Sequence, residues 1–278
     1  MALPGRFVKM AGGGNDFLVF EADGRDLTDE DRRRLALVCR RGLSVGADGA
    51  LFLSRGEKGR VRVDYFNSDG GPATFCANGT RCAARYALRH GLASGDVVML
   101  ETGWGGIEAR LNPDGERVTL ALPAVPEPQD PIPISGRGLP PTAIPIKVGV
   151  PHLVVFVRGN LSNFAIDRFG PPLRRHPALP EGANVNFVRA AGENRIAVRS
   201  WERGVEGETL SCGSGVVASA IAAGRQGMAV SPVTCGTKSG VDLVVEFRDE
   251  GGVIAGVRLT GDAREIYAGE LLEEAWKA

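Results

Sequence analysis

Short apolar runs separated by turn residues dominate this chain. RVRVDYF (60–66), DVVMLET (96–102), GIEARL (106–111), RVTLAL (117–122), HLVVFV (152–157), NVNFVRA (184–190), RIAVRSW (195–201), VDLVVEF (241–247) and VIAGVRL (253–259) each read as a β-strand. Helical periodicity is rarer. TDEDRRRLALVCRRG (28–42) opens with Thr28 as the predicted N-cap, and Glu30 and Asp31 fall in its first turn. Two other stretches run from a cysteine through small residues into an alanine-rich pattern: TFCANGTRCAARYALRHGL (74–92), read as amphipathic, and LSCGSGVVASAIAAGRQGM (210–228).

Residues 123–145, PAVPEPQDPIPISGRGLPPTAIP, hold eight of the 17 prolines and read as an extended, semi-rigid linker near mid-chain. The two sides of this segment repeat each other. Cys76 and Cys212 lie 136 positions apart. The same offset aligns Gly79 with Gly215, Ala84 with Ala220, Ala87 with Ala223, Arg89 with Arg225 and Gly91 with Gly227. It also sets NDFLVF (15–20) against PHLVVF (151–156). The expected organisation is a duplication in which each copy is mostly strand with one central helix. Its halves span 1–122, completed by a strand within 265–278, and 123–264.

Lys+Arg and Asp+Glu both number 33, so no basic excess points to nucleic acid. The longest apolar run, VGVPHLVVFV, is broken by Pro151 and His152 and falls short of the ~20 residues a membrane span needs. The N-terminus shows no apolar signal-peptide core, and the expected location is cytoplasmic. The five cysteines form no Cys-x-x-Cys pair and the three histidines are scattered, so neither disulfides nor a metal site is expected. Cys39, Cys82 and Cys235 read as small buried hydrophobes. GGGND (12–16) lacks the spacing of a phosphate-binding loop.

Cys76 and Cys212 differ, because each precedes a helix start. Unpaired backbone N–H groups and the positive end of the helix dipole act there. They favour a thiolate, so a lowered thiol pKa is expected, and they favour a bound carboxylate. If the two copies face each other, one cysteine can remove a proton next to a carboxylate while the other delivers one to the opposite face. The helix N–H groups would stabilise the charge that builds on the carboxylate. The outcome is inversion at one carbon, with no cofactor. A reversible disulfide between the same thiols is the redox alternative.

Over nearly its whole length the chain resembles the diaminopimelate epimerase family. The resemblance rests on KMAGGGNDFLVF, VGADGALFL, YFNSDGGPATFCANGTRCAARY, GVPHLVVFV, EGANVNFV, WERGVEGETLSCGSG and VRLTGDAREIYAGEL, in that order. It implies an α+β fold of two pseudo-symmetric domains, each a curled, mostly antiparallel sheet around a central helix, and the homodimer common in the family. It implies that Cys76 and Cys212 are the acid/base pair acting on a small amino-acid substrate. The carboxylate would rest on the N–H groups of Ala77, Asn78, Gly213 and Ser214. Asn15, Asn67, Asn184 and Arg203 would hold the rest of the substrate, and Glu202 and His152 would tune the thiols.

The chain departs from the family pattern at four places. Ala11 replaces His, Ala77 replaces the Gly after the first cysteine, and Val150 replaces the Asn of Gly-Asn-Pro-His. RGVEGET carries one residue more than Arg-Gly-x-Gly-Glu-Thr. Val150 keeps open a second reading, a two-cysteine racemase or epimerase of another amino acid.

Overall fold

Each apolar run named above lies on a strand. The computed structural model describes residues 5–24 and 26–277. In chain order the elements are β1 (Arg6–Gly12), β2 (Asn15–Glu21), α1 (Asp29–Val38), β3 (Gly49–Arg55), β4 (Val61–Asn67), β5 (Pro72–Ala73), α2 (Ala77–Arg89), β6 (Val97–Thr102), β7 (Gly105–Leu111) and β8 (Arg117–Ala121). They continue with β9 (Val125–Pro126), β10 (Ile132–Pro133), β11 (Thr142–Val148), β12 (Val150–Phe156), α3 (Ile166–Arg174), β13 (Asn184–Gly192), β14 (Arg195–Glu202) and β15 (Gly207–Thr209). The last are α4 (Gly213–Arg225), β16 (Val233–Gly236), β17 (Asp242–Asp249), β18 (Val253–Asp262) and β19 (Arg264–Glu270). Contacts divide the chain into two units, Met1–Leu120 with Gly261–Ala278, and Ala121–Thr260.

The first unit pairs β1 with β2 antiparallel, β2 with β3 parallel, β3 with β4 and β4 with β5 antiparallel, β4 with β6 parallel and β6 with β7 antiparallel. The second unit repeats this order with β11, β12, β13, β14, β15, β16 and β17. β19 pairs antiparallel with β1 and so completes the first unit's sheet with the last strand of the chain. The fold is α+β, dominated by mixed, mainly antiparallel sheet.

β2, β3, β12 and β13 are near-continuous apolar runs because both of their faces are covered. Leu18, Phe20, Ala50 and Phe52 join the core that holds Leu35 and Val38 of α1. Leu153, Val155, Val185 and Phe187 join the core that holds Phe169 and Leu173 of α3. The opposite faces look onto the central helices. α2 packs on β1, β2, β3, β4, β6 and β7, and α4 packs on β11, β12, β13, β14, β16 and β17. α1 starts with the reciprocal capping box: Thr28 accepts from the Asp31 N–H and the Asp31 carboxylate accepts from the Thr28 N–H.

Two expectations change here. The amphipathic pattern of 74–92 does not leave a wet face, because every residue from Ala77 to Ala87 is buried. The polar positions are satisfied internally. Arg81, fully buried, donates from Nη2 to Asn78 Oδ1 at 2.7 Å and from Nε to the Asp262 carbonyl at 3.2 Å. Residues 123–145 are also more than a linker. Ile132 pairs with Ala143, Val125 pairs with Ile254, and Val125, Ile134, Ala143 and Ile144 are buried in the second unit.

GGGND forms the β1–β2 hairpin. Gly12 pairs with Asn15, and Gly13 and Gly14 take φ values of 59° and 98°, as a two-residue hairpin loop of primed type requires. Among the described residues, no helix is long and apolar enough to cross a membrane.

Close approach of α4 to β13 depends on Gly215. A Cβ there would collide with Asn186 Oδ1, which cannot swing away because the Asn186 side chain is held by His152 and Ser200. Gly215→Ala should therefore lower the unfolding free energy by about 1–3 kcal/mol in a urea titration. An unchanged midpoint would show that the helix can shift at no cost.

Candidate active site

Both candidate cysteines are N-caps. Cys76 precedes α2 with φ −142° and ψ 112°, and its carbonyl accepts from the Thr80 N–H at 2.8 Å. Cys212 precedes α4 with φ −115° and ψ 107°, and its carbonyl accepts from the Val216 N–H at 2.8 Å. The extended backbone at each cap turns the chain from a short strand into the helix, which brings the side chain to the end where the first N–H groups are unpaired. Phe75 packs at a tilt against Trp104, with centroids 4.6 Å apart, where the chain enters α2.

In the first unit, Ala77 and Asn78 occupy the first turn of α2 and are both buried. Asn78 Nδ2 donates to Asn15 Oδ1 at 2.8 Å, and Asn15 Nδ2 donates to Asp48 Oδ2 at 2.9 Å. With Arg81 donating to Asn78, this gives a directed chain, Arg81 to Asn78 to Asn15 to Asp48. A guanidinium at one end and a carboxylate at the other fix which way each amide points. Asp48 also receives Arg41 at 2.7 Å, and Asp16 pairs with Lys9 at 2.7 Å. Gly13 is required beneath this chain, since a Cβ there would fall 2.6 Å from Asn78 Oδ1. Asn67 ends β4, exposed, opposite Gly49 in the β3–β4 ladder, and its backbone closes the following turn with Gly70 and Gly71.

In the second unit the named residues form one contiguous cluster at the start of α4. Glu202 ends β14. Its Oε1 accepts from Thr209 Oγ1 at 2.5 Å, and its carboxylate is hydrogen-bonded with the Cys212 thiol. Cys212 Sγ lies 3.6 Å from Ser214 Oγ, and Gly213 begins the helix. Asn184 stands opposite His152 in the parallel β12–β13 ladder, and its Oδ1 accepts from the Arg203 N–H at 2.8 Å. The His152 ring, fully buried, has Nδ1 3.2 Å from Asn186 Nδ2, and Asn186 Oδ1 accepts from Ser200 Oγ at 2.8 Å. Val150 begins β12 with 37% of its surface exposed.

Electrostatics correct one expectation. Burial pushes the Cys212 thiol well above its ordinary value, and the neighbouring Glu202 carboxylate adds to the rise. The Ser214 hydroxyl and the Gly215 N–H act in the opposite sense and are outweighed. The helix start does not yield a resting thiolate there, because removing the sulfur from water costs more than the helix end returns. Burial also raises Glu202, against the hydrogen bonds from Thr209 and Cys212. Burial lowers His152 to about 3, against the nearby Val148 carbonyl, so this ring is neutral at pH 7.

Sequence reasoning passed over Asp48, Arg81, Asn186 and Thr209. Each sits in a quoted motif, and each touches a candidate residue directly. Among the described residues, no group of three or more His, Cys, Asp or Glu side chains is placed to hold a metal ion.

Known proteins resemble this chain over nearly its whole length. The family model "Diaminopimelate epimerase" matches residues 7–124 and 144–265. The chain is 38% identical to the diaminopimelate epimerase of Archaeoglobus fulgidus, covering 95% of both chains. It is 37% identical to that of Gemmatimonas aurantiaca, covering 95% of this chain and 98% of the other. Among solved structures, a hydroxyproline epimerase from Agrobacterium vitis aligns with a TM-score of 0.71 at 17% identity, covering 97% of this chain and 93% of the other. A PhzF-family phenazine biosynthesis protein from Enterococcus faecalis aligns with a TM-score of 0.72 at 15% identity, covering 97% of this chain and 100% of the other. These last two share the fold. With its family model spanning both halves and relatives matched nearly end to end, the chain belongs to the diaminopimelate epimerase family and is an isomerase.

Proposed function

We propose that this chain interconverts LL- and meso-diaminopimelate without a cofactor, using Cys76 and Cys212 as a proton-transferring pair on one substrate. The observation that carries the reading is the matched placement of the two cysteines, each the N-cap of the enclosed helix of its own unit. Family membership supplies the reaction class. In the cell this activity would act in the cytoplasm, as a homodimer, and supply lysine and cell-wall precursors.

In this reading the reacting carboxylate rests on the N–H groups of Ala77, Asn78, Gly213 and Ser214. Proton removal from Cα places negative charge on that carboxylate, and the helix ends meet it with fixed dipoles that need no reorganisation. Asn15, Asn67, Asn184 and Arg203 hold the rest of the substrate, with Arg203 suited to a carboxylate through its planar fork. Cys212 rests as a thiol and serves directly as the acid. To work in the other direction it must first lose its proton, and Glu202, whose own pKa is raised, is the acceptor in contact with it. His152 contributes as a neutral ring.

Val150 supports a second reading, in which a different amino acid is the preferred substrate. The exposed valine offers no hydrogen bond where the family has an amide.

In D2O, wild-type protein should place deuterium at Cα of LL-diaminopimelate. Cys76→Ala and Cys212→Ala should each reduce exchange by about 10²–10⁴-fold, the usual worth of one acid/base group. No label in diaminopimelate, with label in another amino acid of a substrate panel, would establish the second reading instead. Val150→Asn should lower KM for diaminopimelate by about 2- to 10-fold on the first reading and leave it unchanged on the second.

Thiol titration tests the electrostatics. In a Cys76→Ala background, alkylation of Cys212, followed by peptide mass, should be slow at pH 7.5 and rise only above about pH 9. Glu202→Gln should move the rise to lower pH, because a like charge is removed. A midpoint below pH 8 in the background protein would contradict the burial argument.

A further inference from the structure

The hairpin between β14 and β15 carries Arg203 and is held closed from outside. Glu202 pairs with Gly207 across it, so residues 203–206 make the loop. Glu206 sits at φ 54°, in the left-handed region that side chains other than Gly and Asn seldom adopt. The loop tip does not pack, since Val205 is 62% exposed. Polar bonds therefore hold Glu206 where it is. Its N–H donates to the Glu202 carbonyl at 2.8 Å. Its Oε1 accepts from Arg174 Nε at 2.6 Å and from the Gly204 N–H at 3.3 Å, and its Oε2 accepts from Arg175 Nη2 at 3.1 Å.

Arg174 ends α3 and is itself tied down. Its carbonyl accepts from the Ala183 N–H at 3.0 Å, and its guanidinium lies against Gly182, where a Cβ would come within 2.6 Å of Nη1. Arg203 reaches the same segment. Its Nη1 donates to the Glu181 carbonyl at 2.7 Å, and its N–H donates to Asn184. One carboxylate thus joins the end of α3 to the residue directly after Arg203, while Arg203 joins the loop to residues 181–184. A strained backbone kept in place by surrounding bonds is the pattern expected where position matters to function.

We propose that Glu206 is a positioning residue for Arg203: it latches the hairpin to Arg174 and Arg175 so that the guanidinium is presented to a substrate carboxylate in one orientation. The proposal rests on the reading of Arg203 as a substrate ligand. It gives the extra residue of RGVEGET a task in this chain.

Glu206→Gly separates the latch from general stability, because glycine relaxes the left-handed backbone as the ion pairs are lost. Tm should fall by no more than about 2 °C. KM should rise about 3- to 5-fold with kcat unchanged, as for removal of a contact made equally in ground and transition states. Glu206→Gln, which keeps an acceptor, should raise KM less. Amide exchange at 203–206 and 181–184 should quicken in Glu206→Gly about 3- to 5-fold, by the same loss of holding energy. Unchanged exchange overturns the latch. Faster exchange with unchanged KM overturns its action through Arg203. If the wild-type protein turns over no amino acid at all, the functional reading fails by itself, and amide exchange alone decides the latch.

Discussion

Each unit is built around a helix enclosed by strands on six flanks, and this enclosure governs the rest. The close packing suits the alanine and glycine of α4, while α2 also encloses the large side chains of Arg81, Arg85 and Tyr86. Enclosure also removes water from the polar groups of the buried turns, among them Asn78, Thr80, Arg81 and Ser219. Arg81 stays buried because Asn78, Asp262 and the helix backbone take its donors. Gly215 stays a glycine because the Asn186 amide fills the space beside it.

The same enclosure sets the chemistry at the N-cap. A helix start pulls a thiol toward ionisation, and burial pushes it the other way. At Cys212 burial prevails, and the adjacent Glu202 reinforces it. A thiol that stays protonated near neutrality is a ready acid, and a carboxyl whose pKa is raised beside it is a ready acceptor. Desolvation therefore holds Cys212 as a thiol beside a carboxyl of raised pKa, where the sequence alone suggests a thiolate poised by the helix dipole; in the proposed function these two groups exchange the proton.

Legibility from sequence followed locality. The Thr28 N-cap and the strand runs depend on neighbouring residues, and their signals are local. The central helix of each copy is legible, but the full burial of α2 is not, because its polar positions look outward on a helical wheel while Arg81 finds a partner far along the chain at Asp262. The proline-rich segment was misjudged because nothing local shows that Ile134 and Ala143 enter the second unit's core. Within the candidate site, the N-cap placement of both cysteines is legible from the duplication, and the proposed substrate contacts come from the family resemblance. Their supports, Asp48, Asn186 and Thr209, were not, since a hydrogen bond to a candidate residue leaves no pattern in one sequence.

The proposed function requires that two thiols transfer protons on opposite faces of one carbon. Early-turnover label distribution in D2O tests it most directly. With two acid/base groups, deuterium should appear in the epimerised product while recovered substrate stays unlabelled, because the abstracted proton remains on one sulfur and the delivered deuteron comes from the other. Deuterium entering recovered substrate as fast as product would mean that a single group serves both faces, and would contradict the account.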